Sequence, residues 1–154
     1  MPVIARAFTS VTTFGGPRPM LPVLIENPVD PARFYVYAHG LIDTGSSYSA
    51  IPAEFAVPLG HGLKHVKPVS IRGAGSRATG YGHTVNLRVL DVLPNGRTDY
   101  VRTVIETGPA RFHFISGLPC VLLGVSDFLR GFVLTVDYPR HRFTLATPPG
   151  ADGL

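Results

Sequence analysis

Short runs of apolar, aromatic and β-branched residues, divided by glycine- and proline-rich turns, make up most of this chain. Segments with this pattern are typical of β-strands. The predicted strands lie at residues 20–26, 34–42, 48–51, 66–71, 80–89, 98–106, 112–115, 119–123, 132–137 and 142–146. Residues 4–9 alternate more loosely and could form an edge strand or a mobile arm. The pattern therefore predicts an all-β fold with very little helix.

Turn and cap residues refine this prediction. Pro22 places its strand at the edge of a sheet, because proline cannot donate a ladder hydrogen bond. Asn95-Gly96 suits a type I′ turn that joins two strands as a hairpin. A turn or two of helix can start at Pro52. Ser126 or Asp127 can cap a second short helix that ends at Gly131.

Composition agrees with one compact domain. The 154 residues are 45% hydrophobic and 16% charged, and they include 17 Gly and 15 Pro, which makes long helices unfavourable. We expect an N-terminal arm or edge strand over residues 1–17, the main domain over 18–147 and a flexible tail over 148–154.

Charge and cysteine content bear on location and partners. No apolar run reaches the roughly 18 residues that a membrane helix needs, and the first residues lack the apolar core of a signal peptide. Cys120 is the one cysteine, so no internal disulfide is possible, and we expect it to be a small buried hydrophobe. The net charge of +4 comes from scattered arginines. We expect a cytoplasmic protein with no nucleic-acid or membrane partner.

One acidic residue stands out. The apolar pair Leu41 and Ile42 leads into Asp43, which is followed by Thr44-Gly45-Ser46-Ser47. A carboxylate at the end of an apolar run costs free energy unless it is hydrogen-bonded or takes part in chemistry. The alternative is a purely structural role, in which Asp43 belongs to a β-turn and its carboxylate accepts hydrogen bonds from backbone N–H groups.

Several motifs together resemble the retropepsins, the single-lobe aspartic proteases of retroviruses, which also have bacterial members. Residues 41–46 match the apolar-Asp-Thr-Gly-Ser motif, and residues 69–75 lie where the family has a glycine-tipped flap hairpin. Residues 121–124 followed by 127–129 resemble the apolar-apolar-Gly and short-helix element behind the catalytic loop. Residues 136–145 resemble the closing hairpin, so the resemblance spans roughly residues 20–146.

The resemblance implies a homodimer. Peptide hydrolysis of this kind uses two carboxylates that share one proton, because like charges at that distance cannot both ionise. The chain has no second Asp-Thr-Gly or Asp-Ser-Gly. The second carboxylate would therefore be Asp43 of another copy, related by a two-fold axis.

The resemblance also implies roles for other residues. Thr44 would bond across the axis, Gly45 would let the partner loop and substrate approach, and Ser46 would hydrogen-bond near the carboxylate. The flap residues that would close over the peptide are Ile71, Arg72, Gly73, Ala74 and Gly75. Leu123 and Gly124 would support the loop. The family usually has one residue after that glycine where this chain has Val125 and Ser126, so either Ser126 or Asp127 could take the supporting role.

The expected function is an aspartic endopeptidase that cleaves extended apolar segments of a polypeptide and needs no metal or organic cofactor. The alternative is an inert dimer of the same fold that binds a partner peptide.

Two competing motifs are weaker. Residues 73–78 fit a Gly-x-Gly-x-x-Ala dinucleotide fingerprint, but the following residues are poor helix formers and the fingerprint needs a helix there. His61 and His65 have helical metal-pair spacing, but Gly60 and Gly62 oppose a helix. We expect these two side chains to be solvated loop histidines.

Overall fold

The computed structural model describes residues 4–11, 14–73 and 75–150, and strands dominate these ranges. The strands are β1 (Ile4–Ala7), β2 (Thr9–Val11), β3 (Gly16–Arg18), β4 (Met20–Glu26), β5 (Tyr35–Ile42), β6 (Ala50–Pro52), β7 (Val69–Gly73), β8 (Ser76–Val92), β9 (Thr98–Ile115), β10 (Val121–Leu123), β11 (Val133–Asp137) and β12 (Arg142–Ala146). The all-β prediction is confirmed.

A seven-stranded sheet in the order β4-β5-β10-β6-β9-β8-β7 forms the body of the molecule. The sheet curls so that β4 also pairs with β8, from Val23 opposite Val89 to Glu26 opposite Asn86. A smaller sheet has the order β1-β12-β11, and β2 pairs with β3. The predicted final hairpin is confirmed as β11 and β12, with Leu134 opposite Leu145.

The prediction that Pro22 marks an edge strand is only locally correct. Pro22 pairs with His39 on one side, and the β8 pairing starts one residue later, at Val23. The missing N–H of Pro22 therefore falls where no second partner is needed, while residues 23–26 are paired on both sides.

The two predicted strands at 98–106 and 112–115 are one strand, β9, and dividing them was wrong. Gly108, which has φ of +69°, lies at a bulge between Glu106, opposite Arg88, and Pro109, opposite Asn86, and the strand continues beyond it. Register shifts in the β8–β9 ladder absorb the irregular residues.

The predicted hairpin between β8 and β9 is correct, but its predicted type I′ turn is not, because Gly96 has a positive φ and Asn95 does not. Gly96 N–H bonds to the Leu93 carbonyl, and Leu93 N–H bonds to that of Arg97.

Both predicted helices shrink to single 3₁₀ turns, Ala53–Phe55 and Leu129–Gly131. Pro52 precedes the first of these, as predicted. The prediction that Ser126 or Asp127 caps the second was wrong, since its N-cap is Phe128 and no side chain caps it. The Asp127 carboxylate is bound to another part of the chain instead, as described below.

Aromatic and aliphatic side chains from both sheets form a single core. Phe112 and Phe114 of β9 are fully buried and pack with Val23, Leu87 and Leu123. The small sheet adds Phe143 and Leu145 from β12. This packing fixes the ends of β5 and β10, which carry the candidate site. Within the described ranges, no helix has the length and hydrophobicity to cross a membrane.

Candidate active site

Asp43 lies directly after β5, at the point where β5 runs parallel to β10. Leu41 and Ile42 pair with Leu122 and Leu123, and the Asp43 N–H donates to the Leu123 carbonyl at 3.1 Å. Ile42 is buried, whereas Asp43 is half-buried. The last ladder bond of β5 therefore holds the backbone of Asp43 while its side chain reaches the surface.

The turn after Asp43 orients the carboxylate. Gly45 N–H donates to Asp43 Oδ1 at 3.0 Å, and Ser46 N–H donates to the Asp43 carbonyl at 3.2 Å. Thr44 and Gly45 are exposed. The Ser46 hydroxyl donates to the Tyr48 carbonyl at 2.7 Å and thus braces the turn, with no bond to the carboxylate. One oxygen of Asp43 is held by the backbone in this arrangement.

The chain after β10 runs alongside this turn and is bonded to it. Val125 N–H donates to the Ser46 carbonyl at 2.9 Å, and Ser126 N–H donates to that of Ser47 at 2.8 Å. These bonds come from the backbone, so Ser126 contacts the loop through its main chain. Its side chain is exposed.

Asp127 contacts the loop through its carboxylate. Its Oδ1 accepts a 2.6 Å bond from the Ser49 hydroxyl, and both its oxygens lie within 3.0 Å of the Ser49 N–H. The Ser49 hydroxyl oxygen in turn accepts from Gly124 N–H at 2.9 Å. Ser49 is fully buried, so this chain of bonds satisfies polar groups that have no access to water.

Gly124 lies in tight contact with the same loop. A Cβ at this position would come 2.6 Å from the Tyr48 carbonyl oxygen and 2.8 Å from the Ser49 nitrogen. Both are backbone atoms, which cannot swing aside as a flexible side chain can. Glycine is therefore the residue that lets β10 continue under the loop.

The predicted flap is a hairpin of β7 and the first part of β8. Ile71 pairs with Ala78, and Arg72 pairs with Arg77. Gly75 turns the tip with φ of +78°. Ala74, named above as a flap residue, lies outside the described residues. Gly73 and Ser76 are the last pair of the ladder on either side of the tip.

A cleft of about 480 Å³ separates the flap from the loop. It is lined by Ser46, Ser47, Tyr48, Val69, Ser70, Ile71, Arg72 and His113. A second cleft, of about 510 Å³, contains Asp43 and Thr44 in its wall together with Phe8, Tyr138 and His141. The loop carrying Asp43 thus forms part of both clefts.

His113 was not identified from the sequence and lies in the first cleft. Its ring meets that of Tyr48 edge to face, with centroids 5.8 Å apart. Its Nδ1 is buried without a hydrogen-bond partner. Burial lowers the pKa of His113, the Arg111 charge lowers it further, and Asp127 opposes both. Tyr48 and Ser49 were missed as well, and no short motif in the sequence marks any of the three.

Cys120 directly precedes β10, close to the loop that carries Asp43, and is only partly buried. Burial raises the pKa of its thiol, a backbone bond with Leu41 lowers it, and the Asp43 charge raises it. These effects favour the neutral thiol, which is the form of a packing residue.

The competing motifs do not form sites. Gly73 and Gly75 belong to the flap, and Ser76 starts a strand where the dinucleotide fingerprint needs a helix. In the part of the chain that the structure describes, no three His, Cys, Asp or Glu side chains are grouped to hold a metal ion. His65 is exposed. His61 lies in a loop, as predicted, but it is half-buried and not fully solvated, because its ring stacks on His83.

Comparison with solved structures identifies the architecture. The chain is similar to a retropepsin-like aspartic protease from Rickettsia conorii, with a TM-score of 0.55 and 17% sequence identity over 94% of this chain and 91% of that one. No family model and no curated protein matches the sequence. The all-β fold is retropepsin-like, as the sequence motifs predicted, and at this identity the similarity concerns the fold.

Proposed function

We propose that this protein is a homodimeric aspartic endopeptidase in which Asp43 of two copies activates the attacking water. The observation that carries the proposal is the position of Asp43. It follows the buried Ile42 at the end of β5, in an exposed turn, with its backbone and one carboxylate oxygen held by hydrogen bonds. A carboxylate fixed in this way beside a substrate-sized cleft is prepared for proton transfer.

The chemistry requires two such carboxylates. One accepts a proton from water as the water oxygen attacks the scissile carbonyl carbon, and the other donates its proton to the carbonyl oxygen. The tetrahedral intermediate then breaks its C–N bond. The leaving amine takes the proton that the first carboxylate accepted from water, and a hydroxyl of the intermediate returns a proton to the second carboxylate. Since the sequence holds a single Asp-Thr-Gly, the exposed Thr44 and Gly45 supply the surface on which a second copy would meet the first.

The substrate is a polypeptide bound in extended form. The flap strand β7 lies at one end of the main sheet, so an extended peptide can bond to backbone groups there, as in other cases of β-strand addition. Ile71, Val69 and Tyr48 form the apolar part of the cleft between the flap and the loop, beside polar side chains. We therefore expect cleavage between apolar residues.

The test is digestion of a mixed peptide library by the wild type and by Asp43→Asn, read by mass spectrometry from acid to neutral pH. Asp43→Asn keeps the size of the side chain and the acceptor for Gly45 N–H, so it should fold and dimerise while losing cleavage. Sedimentation velocity on both proteins checks the dimer. Cleavage by Asp43→Asn at the wild-type rate would refute the proposal. No cleavage by a wild type that is dimeric would favour the alternative, an inert dimer that binds a peptide.

A further inference from the structure

Two histidines at the base of the flap form a closely stacked pair. The rings of His61 and His83 are 4.3 Å apart between centroids and 15° from parallel. His61 Nε2 lies 3.1 Å from the Thr84 carbonyl oxygen, and His83 Nε2 lies 2.8 Å from the Gly62 carbonyl oxygen. A carbonyl oxygen only accepts, so each Nε2 carries the proton and donates. Each histidine therefore bonds to the segment that carries the other.

This pair joins the two segments from which the flap emerges. His61 and Gly62 precede β7, and His83 and Thr84 lie on β8 just after Gly80, where the pairing with β7 ends. Both rings also pack edge-on against the buried Phe114, with centroids 5.8 and 5.9 Å apart. The pair thus fastens the chain that enters the flap to the rigid body of the sheet.

The flap depends on this fastening because it has few other attachments. The described strand pairings of β7 are all with β8, and β7 ends the order of the main sheet. Beyond Gly80, β8 is held by β9. The β8 side of the flap is therefore anchored by a ladder, whereas the side that enters β7 is anchored through the loop that carries His61.

The pair is sensitive to charge. A second proton on each ring would go to Nδ1 and leave the Nε2 bonds in place, but two cations at this separation repel each other. Lys64 and His65 follow on the same loop, and the Arg111 side chain packs over Gly82 on the neighbouring strand. No carboxylate in the described ranges is hydrogen-bonded or ion-paired to either ring. The groups around the pair are thus basic and do not offset the added charge.

We propose that His61 and His83 are positioning residues for the flap, which hold it in place while their rings are neutral and release it when both are protonated. Burial lowers the pKa of His61, and the His83 charge lowers it further, while the bond to Thr84 opposes both. The lowered pKa of His61 means that its ring contributes full stability above the ordinary histidine value of 6.5, and that this stability is lost as the pH falls through the lowered value. Acid therefore loosens the flap.

The test is hydrogen exchange of the flap amides, residues 69–80, at pH 7 and pH 5, corrected for the intrinsic effect of pH on exchange. In the wild type we expect the corrected rate to rise at least about threefold at pH 5. In His61→Gln/His83→Gln the side-chain amides can donate to the same carbonyls and carry no charge, so the rise should disappear. His65→Gln removes an exposed histidine from the same loop and should behave as the wild type. If the double variant does not fold, His61→Gln alone removes one of the two charges and should reduce the rise.

A wild-type flap whose corrected exchange is the same at both pH values would overturn the proposal, as would an unchanged rise in the glutamine variants. The link to catalysis rests on the proposed protease function, but flap exchange does not, so the two can fail separately. If the protein cleaves peptides, the glutamine variants should change the pH dependence of KM more than that of kcat, because the flap holds substrate and does not supply the reacting groups.

Discussion

Gly124 is in contact with the backbone of the loop that follows Asp43, and a methyl group does not fit in the space that its hydrogen atom occupies. Gly124→Ala would force the new Cβ against Tyr48 and Ser49. We expect a loss of about 2–3 kcal/mol in the free energy of unfolding, which is typical of overpacking against atoms that cannot move. Urea unfolding curves measure this loss.

Gly131→Ala is the matched control for this substitution. A Cβ at Gly131 would meet no atom within 4 Å, and Gly131 is not among the glycines with positive φ. Its unfolding free energy should change by no more than about 0.5 kcal/mol. Equal stability of the two alanine variants would contradict the tight contact between β10 and the loop.

His113 should titrate in a way that depends on Arg111. Burial and the Arg111 charge lower its pKa, so the folded protein favours the neutral ring. This contribution to stability is present above 6.5 and is lost as the pH falls through the lowered pKa. In Arg111→Gln the pKa of His113 should rise, as followed by NMR of the imidazole signals.

Arg97→Gln serves as the control for this titration, because Arg97 is an exposed residue next to the β8–β9 hairpin turn and does not act on His113. It should leave the His113 titration unchanged. A pKa of His113 that is the same in Arg111→Gln and in the wild type would contradict the effect of the Arg111 charge.

The sequence predicts that Asp43 follows a strand, but it does not single out Ser49, to which Asp127 is bonded. The apolar run of residues 34–42 and the turn that follows are local features, so the strand and the position of Asp43 can be read directly. The bond between Asp127 and Ser49 joins residues 78 positions apart, and a single sequence does not show such pairs. Stacking of His61 on His83 was missed for the same reason.

At the scale of elements, the turn after β10 and the loop after β5 behave as one unit, joined by Asp127. Asp127→Ala would leave the buried N–H and hydroxyl of Ser49 without their acceptor. We expect a loss of about 2 kcal/mol in unfolding free energy, because hydrogen bonds to a charged group are among the stronger ones. Thermal or urea unfolding measures it.

Ser126→Ala is the matched control for Asp127→Ala. The Ser126 side chain is exposed, and its contact with the loop is a backbone bond that alanine retains. Its stability should stay close to that of the wild type. A larger loss in Ser126→Ala than in Asp127→Ala would reverse the assignment of the supporting residue.

Element types were predicted better than their extents. The segment 80–89 extends to all of β8, and two predicted strands merge into β9, because the long antiparallel ladder accommodates Gly108 in a bulge and continues from Pro109. The predicted second helix is reduced to a 3₁₀ turn, since the Asp127 side chain binds Ser49 and cannot cap it. In both cases contacts distant in sequence override local preference.

At the scale of the whole molecule, the proposed reaction requires a second copy of the chain. Every other part of the proposed reaction lies within one chain: the held carboxylate, the cleft of about 480 Å³ and the flap. The second carboxylate does not, because the sequence contains one Asp-Thr-Gly. We therefore expect that one Asp43 alone does not support peptide cleavage.

This requirement is tested by a subunit-exchange experiment. Wild type is mixed with Asp43→Asn, and peptide cleavage is measured after the subunits have exchanged. With equal amounts and random pairing, about a quarter of the dimers carry two aspartates. Activity per total protein should then fall to about one quarter of the pure wild-type value, at a concentration where both proteins are shown to be dimeric. A fall to only one half would mean that each Asp43 acts independently and would contradict the shared active site.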